Sequence, residues 1–221
     1  MGKKTSPIAF RIPHVIPWRS RWFERRGYGA MLREDVALRK FIAKALKTAG
    51  VERIEIERSV RQLVITIFSS RPGVIIGRGG EEIEKLQKGI VALLKKVRPA
   101  VAVKDLPRVK IEIQEVRAPG SSAALIAQRM AQEVEKRLPF RRVLKQTLER
   151  VMQEKGVEGA KVQLSGRLDG AEMSRTEWLA KGKLPLQSLR AEIDYARVTA
   201  HCSYGAVGIK VWVYKGEKFN R

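Results

Sequence analysis

Hydrophobic residues recur at two different spacings along this chain, and the changes between them predict its secondary structure. Over residues 31–49 apolar side chains recur at helical spacing, and Gly50 is a residue type that commonly ends helices. Over 54–57 and 63–67 apolar and polar side chains alternate instead, which predicts two strands. The short stretch 58–61 between them predicts a hairpin turn.

A second group of elements follows a break at residues 71–73 (Arg-Pro-Gly). A short apolar segment leads into residues 77–80 (Gly-Arg-Gly-Gly), and an apolar stripe over 83–97 then predicts a long helix. Residues 109–114 alternate again and predict a third strand. The order helix, strand, strand, short helix, helix, strand predicts an α+β domain over residues 31–118, with helices packed on a three-stranded sheet.

A second domain is predicted after residues 119–122 (Pro-Gly-Ser-Ser), the clearest boundary in the chain. Ser121 or Ser122 can cap a helix that runs towards residue 137, and a further helix is predicted over 141–155. Alternating segments then predict strands over 157–165, 172–178, 189–199 and 207–214. We expect residues 119–215 to form an α+β domain of two helices packed on a four-stranded, mainly antiparallel sheet, followed by a short tail at 216–221.

The charge balance indicates the class of partner. The chain has 45 Lys and Arg residues against 23 Asp and Glu, which gives a formal net charge of +22 in 221 residues. Such a surplus repels itself unless a polyanion neutralises it, and nucleic-acid phosphates do this well. An anionic membrane is the competing explanation, but no apolar run approaches the ~18 residues that a spanning helix needs. We therefore expect a nucleic-acid-binding protein without membrane attachment.

Candidate catalytic and metal-binding residues are few. Cys202 is the single cysteine and the two histidines lie far apart, at His14 and His201, so neither an internal disulfide nor a zinc site is expected. His201 and Cys202 are neighbours on a predicted strand and would point to opposite faces. Four carboxylates near arginines are interpreted as ion-pair partners rather than catalytic groups: Asp169, Glu172, Glu177 and Asp194. We predict no catalytic residue, no metal and no cofactor.

The beginning of the chain predicts a basic arm over residues 1–30. It lacks an apolar stretch of signal-peptide length, so a reducing cytoplasm is the expected compartment. Prolines prevent a continuous helix, and aromatic side chains alternate with cations. A disordered tail is one interpretation, although disordered segments usually have fewer aromatic residues. We favour an arm that packs its rings while its cations face RNA, with candidate contacts at Lys3, Lys4, Arg11, Trp18, Arg19 and Trp22.

Gly77, Arg78, Gly79 and Gly80 form a glycine loop before a predicted helix, and three chemistries use such loops. A Walker phosphate loop would need Lys followed by Ser or Thr, where this chain has two glutamates. A dinucleotide fingerprint needs another glycine spacing, and the glutamates would oppose a pyrophosphate at the helix N-terminus. The GXXG loop of a KH domain fits, because glycines let an RNA backbone approach closely while Arg78 supplies a cation. The helix and hairpin before the loop resemble the type II KH arrangement.

Four separated segments carry more distinctive motifs. They are residues 2–4 with 17–23 (Pro-Trp-Arg-Ser-Arg-Trp-Phe), 71–80, 140–145 (Phe-Arg-Arg-Val-Leu-Lys), and 165–172 (Ser-Gly-Arg-Leu-Asp-Gly-Ala-Glu) with its continuation to residue 212. Together they resemble the bacterial family of the third protein of the small ribosomal subunit, in the correct order and over nearly the whole chain. The chain departs from the family pattern at 6–13, in a longer span at 91–106, and at Gln146, where a cation is expected.

The resemblance implies a structural constituent of the small-subunit head that binds ribosomal RNA and lines the path where messenger RNA enters. It implies that Arg141, Arg142 and Lys145 contact the incoming message and help to unwind it passively. Arg141 and Lys145 also share a helical face by their spacing, and such cations can follow a phosphate backbone. Further ribosomal RNA contacts are expected in the second domain, at Arg167, Arg175, Lys181, Lys183 and Arg190.

The implied partners are small-subunit ribosomal RNA, messenger RNA and neighbouring proteins of the subunit, with one copy of the chain in each subunit. By family resemblance the protein neighbours are ribosomal proteins S-ten, S-fourteen, S-four and S-five. A free RNA-processing or ribosome-assembly factor with a KH domain is the alternative function, although such a factor usually carries a GTPase or another partner domain. Whether the glycine loop contacts messenger or ribosomal RNA stays open at this stage.

Overall fold

The computed structural model describes residues 5–25, 27–59, 62–97 and 107–219, and the chain forms two compact units. The N-terminal unit is Trp18–Arg117, and the C-terminal unit combines Met1–Pro17 with Ala118–Arg221. A short helix, α1 (Pro7–Arg11), lies in the N-terminal segment of the C-terminal unit. The predicted arm over 1–30 is therefore divided, because its first part belongs with the C-terminal unit and the remainder with the N-terminal unit.

The N-terminal unit confirms the predicted order of helices and strands. Its elements are β1 (Ser20–Arg21), α2 (Tyr28–Ala45), β2 (Val51–Arg58), β3 (Gln62–Ser69), α3 (Pro72–Ile76), α4 (Glu81–Val97) and β4 (Arg108–Glu115). The sheet has the order β1-β2-β3-β4, in which β2 and β3 are antiparallel and the two outer pairs are parallel. The edge strand β1, of two residues, was not predicted from the sequence.

Alternation along the strands places one face of this sheet against helices. On β3 the side chains of Leu63, Ile65 and Ile67 are fully buried, whereas the residues between them are half-buried. Helices α2 and α4 supply the other side of the core, through Leu38, Ile42, Ile90 and Leu94. Burial of each such apolar side chain stabilises the folded unit by about 1.5–3 kcal/mol. The apolar positions read from the sequence are therefore the ones that form this core.

A buried ionic cluster joins the first residues of the N-terminal unit to its sheet. Arg58 donates hydrogen bonds to Asp35 at 2.5 Å and to Glu34 at 2.7 Å, and all three side chains are almost fully buried. The Ser20 hydroxyl and the Trp22 indole N–H each donate to Asp35 at 2.9 Å. One carboxylate thus holds α2, β2 and the segment before α2 together.

The C-terminal unit confirms two helices on a four-stranded antiparallel sheet. Its elements are α5 (Ala123–Glu135), α6 (Phe140–Gln153), β5 (Gly159–Gly166), β6 (Arg175–Gly182), β7 (Ala191–Cys202) and β8 (Gly205–Glu217). The sheet has the order β6-β5-β8-β7, and every neighbouring pair is antiparallel. Buried side chains of both helices pack on alternate residues of the strands, among them Val162, Leu164, Val211 and Val213.

Some predicted segments differ from the structure at their ends or lie outside the described residues. The first long helix begins before the predicted residue 31 and ends at Ala45 rather than 49. The hairpin turn at 58–61 is described only in part, and so is the long span 91–106, of which α4 takes the portion up to Val97.

Replacing Asp35 with Ala should lower the free energy of unfolding of the N-terminal unit by about 2–4 kcal/mol, because Arg58 keeps a buried charge after losing a partner. Hydrogen exchange of β2 and β3 in the full chain, followed by mass spectrometry, measures the loss. The matched control is Glu57→Ala, which removes an exposed partner of Arg21 at 3.1 Å and should cost about 0–1 kcal/mol. Equal protection of the strands in the two variants would contradict the central role of Asp35.

Candidate nucleic-acid interface

The glycine loop lies between α3 and α4, and its backbone requires glycine. Gly77, Gly79 and Gly80 have φ angles of 71°, 62° and 86°, in the left-handed region that side chains disfavour. At Gly77 a Cβ atom would also stand 2.6 Å from the Glu82 side chain, whereas at Gly79 and Gly80 it would meet nothing within 4 Å. The last two glycines therefore leave open space in which another backbone can approach the loop.

Arg78 provides the positive charge of this loop. Its side chain is exposed on the 3₁₀ turn Arg78–Gly80. The first turn of α4 carries Glu81 and Glu82, and Lys85 pairs with the second of these at 2.9 Å. These carboxylates disfavour an anion at the N-terminus of α4. Phosphate binding at this loop would therefore depend on Arg78 and the loop amides.

The basic residues of α6 are exposed on the side of the helix away from the sheet. Arg141, Arg142 and Lys145 are exposed, whereas Val143 and Leu144 are buried in the core. Arg141 and Lys145 thus share one face of α6, as their spacing predicted. The apolar residues of α6 pack in the core, so its cations point to solvent.

Arg175 from β6 joins the start of this helix. The guanidinium carbon of Arg175 lies 5.2 Å from the centre of the Phe140 ring, and that of Arg141 lies 5.6 Å from the same ring. Phe140 is buried, so it holds both guanidinium groups against a rigid surface. The structure therefore adds Arg175 to the predicted cluster of α6, a contact that depends on strand placement rather than on sequence spacing.

The remaining predicted cations of the C-terminal unit lie in different surroundings. Arg167 is exposed but donates to the carbonyl oxygens of Ala171 and Tyr204 at 2.9 and 3.4 Å, which fixes its direction. Arg190 pairs with Glu217 at 2.7 Å. Lys181 and Lys183 are both exposed, at the end of β6 and just after it. The structure does not bring these four residues into the α6 cluster.

Arg11 is placed differently from the prediction that it contacts RNA. Its side chain is fully buried, and its Nε donates to the Ala191 carbonyl at 2.7 Å. Its Nη2 donates to the carbonyls of Leu186 and Ser188 at 3.0 and 2.9 Å. Burial lowers the pKa of Arg11 below its ordinary value. Arg11 therefore anchors α1 to the segment before β7, and we remove it from the RNA-contacting set.

The other arm residues fall into three groups. Lys3 and Lys4 lie outside the described residues. Trp18 is 62% exposed and Arg19 is also exposed, so both can reach a partner. Trp22 is half-buried by its bond to Asp35 and by a ring contact of 5.1 Å with Tyr28. The expected packing of aromatic rings thus occurs at Trp22 and not at Trp18.

Arg39 is a positioning residue that was not predicted from the sequence. It donates to the carbonyls of Ile54 and Arg19 and to the Ser20 hydroxyl, which ties the segment before α2 to β2. Burial is the main cause that lowers the pKa of Arg39, and Asp35 acts in the opposite direction. No local signal distinguishes this arginine from the surface cations of the same helix.

The carboxylates near the basic residues have structural roles, and only one forms the ion pair that we expected. Glu177 pairs with Arg175 at 3.5 Å. Asp194 instead accepts the Ala123 N–H at 2.8 Å at the start of α5, and Asp169 accepts the Phe140 N–H at 3.3 Å at the start of α6. Neither Ser121 nor Ser122 caps α5 through its side chain, so Asp194 replaces the predicted cap. Glu172 is exposed.

His201 and Cys202 point to opposite faces of β7, as predicted. His201 is exposed, whereas the Cys202 thiol packs against the core and lies 3.8 Å from the Val134 carbonyl. The pKa of Tyr204 is raised to about 12, mainly by a side-chain hydrogen bond with Cys202 and secondarily by burial. Among the described residues no group of three or more His, Cys, Asp or Glu side chains is arranged to hold a metal ion.

Over the ranges that the structure describes, no helix is both long enough and apolar enough to cross a bilayer.

Two protein families match separate parts of the chain. A KH domain matches residues 37–121, which correspond to most of the N-terminal unit. The C-terminal domain of ribosomal protein S3 matches residues 130–213, which include the end of α5, all of α6 and most of the four-stranded sheet.

Curated relatives extend the likeness over nearly the full length. The small ribosomal subunit protein uS3 of Desulfitobacterium hafniense is 43% identical over 217 residues, covering 98% of this chain and 94% of the relative. The uS3 proteins of Syntrophomonas wolfei and Campylobacter hominis are each 45% identical, over 98% of this chain and 90% and 89% of their own lengths.

Replacing Asp194 with Ala should lower the free energy of unfolding of the C-terminal unit by about 0.5–2 kcal/mol, since the first turn of α5 loses its acceptor. Asp194→Asn keeps an oxygen acceptor and should cost less. Hydrogen exchange at the start of α5 in the full chain compares the two variants. Equal losses would show that the negative charge, rather than the hydrogen bond, stabilises this helix end.

Proposed function

This chain belongs to the uS3 family of small ribosomal subunit proteins, and we propose on that premise that it binds ribosomal RNA and guides incoming messenger RNA. The family is a structural, non-enzymatic component of the ribosome with an RNA-binding KH domain. Identity of 43–45% over 98% of the chain carries this assignment and favours it over a free RNA-processing or assembly factor. Because the relatives are bacterial ribosomal proteins, the proposed compartment is the cytoplasm.

The exposed cations of α6 support the proposed contact with messenger RNA. Arg141, Arg142 and Lys145 project from one helix, and Arg175 is held beside them by Phe140. In the described part of the chain no carboxylate pairs with the three helix cations. Such positive charges attract phosphates of either strand without reading base sequence, because backbone contacts carry no sequence information.

Passive unwinding follows from this arrangement without a catalytic group. When the ribosome pulls a message past a positive surface, a duplex must separate if only one strand can continue. The cations of α6 would hold the phosphates of the advancing strand, and they need neither nucleotide hydrolysis nor a metal. The family assignment agrees with this, since uS3 proteins are non-enzymatic.

The glycine loop is proposed as a second RNA contact. Open space above Gly79 and Gly80 and the exposed Arg78 suit the close approach of an RNA backbone. Further proposed ribosomal RNA contacts are Lys3, Lys4, Trp18, Arg19, Arg167, Arg175, Lys181, Lys183 and Arg190. Trp22 is proposed to act indirectly, since its hydrogen bond to Asp35 anchors the segment that carries Trp18 and Arg19.

The proposed place in the ribosome is the head of the small subunit, in one copy. The proposed protein neighbours are ribosomal proteins S-ten, S-fourteen, S-four and S-five. Sedimentation of a cell extract tests the placement directly, since the native protein should comigrate with small subunits. Its absence from that fraction would overturn the ribosomal assignment.

Replacing Arg141, Arg142 and Lys145 together with Ala should slow translation through a stable messenger hairpin by roughly fivefold, equivalent to losing about 1 kcal/mol of exposed charge interaction. An unstructured message should be translated at nearly the normal rate, since no duplex has to be opened. Translation of paired reporters, with and without the hairpin, by purified ribosomes measures the ratio.

The matched control removes three exposed cations from other parts of the same unit, at Arg129, Lys136 and Lys155. Both sets of ribosomes must contain the variant protein in equal amounts, as judged by sedimentation. A hairpin effect that is equal in the two variants, or absent from both, would remove the messenger role of α6 and leave the structural role intact.

Replacing Arg78 with Gln should weaken the affinity of the full chain for single-stranded RNA by about 2- to 5-fold, because an exposed charge pair contributes about 0.5–1 kcal/mol. The control is Lys85→Gln on the neighbouring helix, where Glu82 already neutralises the lysine at 2.9 Å. Fluorescence anisotropy with a labelled oligonucleotide compares the two. Equal affinities would exclude Arg78 as an RNA contact.

A further inference from the structure

The C-terminal sheet has a second face, opposite the helices α5 and α6. Residues that alternate with the core-facing side chains of all four strands point to this side, which we call the outer face. The strand pairing aligns two rows across it, which are Ala180, Lys161, Trp212, Tyr195 and then Trp178, Gln163, Lys210, Arg197. Neighbours in such rows lie about 4.5–5.5 Å apart between Cβ atoms, so each row brings aromatic rings and cations together.

Lys161 lies between the two tryptophan rings of the outer face. Its Nζ lies 4.3 Å from the ring centre of Trp178 and 5.6 Å from that of Trp212. Tyr195 packs on the other side of Trp212, with ring centres 5.3 Å apart. Trp178 nevertheless remains 55% exposed. A large flat ring is therefore presented to a partner in a fixed position, which lowers the entropy cost of binding.

The cations of the outer face form no ion pair with a carboxylate of the described residues. Neither row contains an aspartate or glutamate, and in the described residues Lys161, Lys210 and Arg197 pair with no carboxylate. Burial raises the pKa of Tyr195, and the nearby charge of Arg197 acts in the opposite direction. Elsewhere in the unit Arg175 and Arg190 are paired with Glu177 and Glu217. The outer face is thus a positively charged surface with one exposed aromatic ring, Trp178, and two half-buried ones, Trp212 and Tyr195.

We propose that the outer face binds a single-stranded segment of ribosomal RNA by stacking bases on its aromatic rings. Base stacking on an aromatic side chain strengthens binding by ~5- to 150-fold for each base, and every base has a face that can stack. Lys210 and Arg197 lie within reach of the phosphates that join such bases. Gln163 offers a side-chain amide between Trp178 and Lys210. An acidic protein segment would satisfy the cations but would leave the exposed Trp178 ring without a flat partner.

The position of the outer face identifies the RNA as ribosomal. The proposed messenger contacts are on α6, and this helix covers the opposite face of the same sheet. A message following α6 is therefore separated from the outer face by the helix layer and the sheet. This inference rests on the proposed function, in that it takes the chain to be part of the small subunit.

Ultraviolet crosslinking of purified small subunits tests the proposal in the assembled particle. After digestion, mass spectrometry should find ribosomal nucleotides attached to peptides of β6 and β8, which carry Trp178 and Trp212. Chemical crosslinks from Lys161 or Lys210 to a neighbouring protein, with no nucleotide on these strands, would overturn it. Crosslinks to messenger RNA instead would overturn the assignment to ribosomal RNA.

Binding by the purified full chain separates stacking from charge. Trp178→Leu should weaken affinity for an unstructured 12-nucleotide RNA by ~5- to 150-fold, and Lys210→Gln should reduce the slope of log affinity against log salt by about 0.7. The controls are Phe219→Leu, which changes another exposed ring, and Lys155→Gln, which removes another exposed cation. Affinities and slopes equal to those of the controls would overturn the proposal. If Trp178→Leu does not fold, Lys210→Gln alone decides.

Failure of this inference is distinguishable from failure of the proposed function. If the native chain comigrates with small subunits but the outer-face variants bind RNA like their controls, only the outer-face proposal fails. If the native chain is absent from small subunits, the proposed function fails, and the ribosomal source of the RNA fails with it.

Discussion

Packing of helices against one face of each sheet is the constraint on which the rest of this structure depends. In the N-terminal unit α2 and α4 bury alternate residues of β2 and β3, and in the C-terminal unit α5 and α6 do the same to β5 and β8. Residues that form this packing are unavailable to a partner, whereas residues on the opposite side of the same strand or helix point outward. On α6 the buried residues Val143 and Leu144 therefore set the direction of the candidate RNA contacts Arg142 and Lys145.

Several of the chain's few carboxylates form hydrogen bonds inside the two units and do not pair with the exposed cations proposed to bind RNA. Asp35 joins Arg58, Ser20 and Trp22 in the N-terminal unit. Asp194 and Asp169 accept backbone N–H groups at the starts of α5 and α6. These acids stabilise local structure, because a buried or helix-terminal carboxylate with good hydrogen bonds gains more than an exposed one. The cations at α6 and on the outer face consequently keep their full attraction for phosphate.

The proposed RNA contacts use two kinds of surface that suit two kinds of task. A helix with projecting Arg and Lys side chains holds a strand by its phosphates and lets it advance, since it makes no base-specific contact. A sheet with fixed aromatic rings holds bases by stacking and suits a strand that stays in place. Because α6 and the outer face are on opposite sides of one sheet, a single small domain can serve a moving RNA and a stationary one.

The periodicity of apolar residues was sufficient to predict the α+β class and the order of the longer helices and strands in both units, because helices and strands that bury one side must repeat at 3.6 and 2 residues. The excess of cations and the glycine loop likewise predicted RNA binding, and the motifs at 71–80, 140–145 and 165–212 predicted this family, which the relatives confirm. The tertiary structure alone decided that Arg11 is an internal anchor, since its acceptors at Ala191 and Ser188 lie 180 and 177 residues away. It alone decided that Asp194 caps α5 and that Lys161 lies between Trp178 and Trp212. These contacts depend on strand order and register, which local spacing does not specify, because distant segments meet only when the sheet forms.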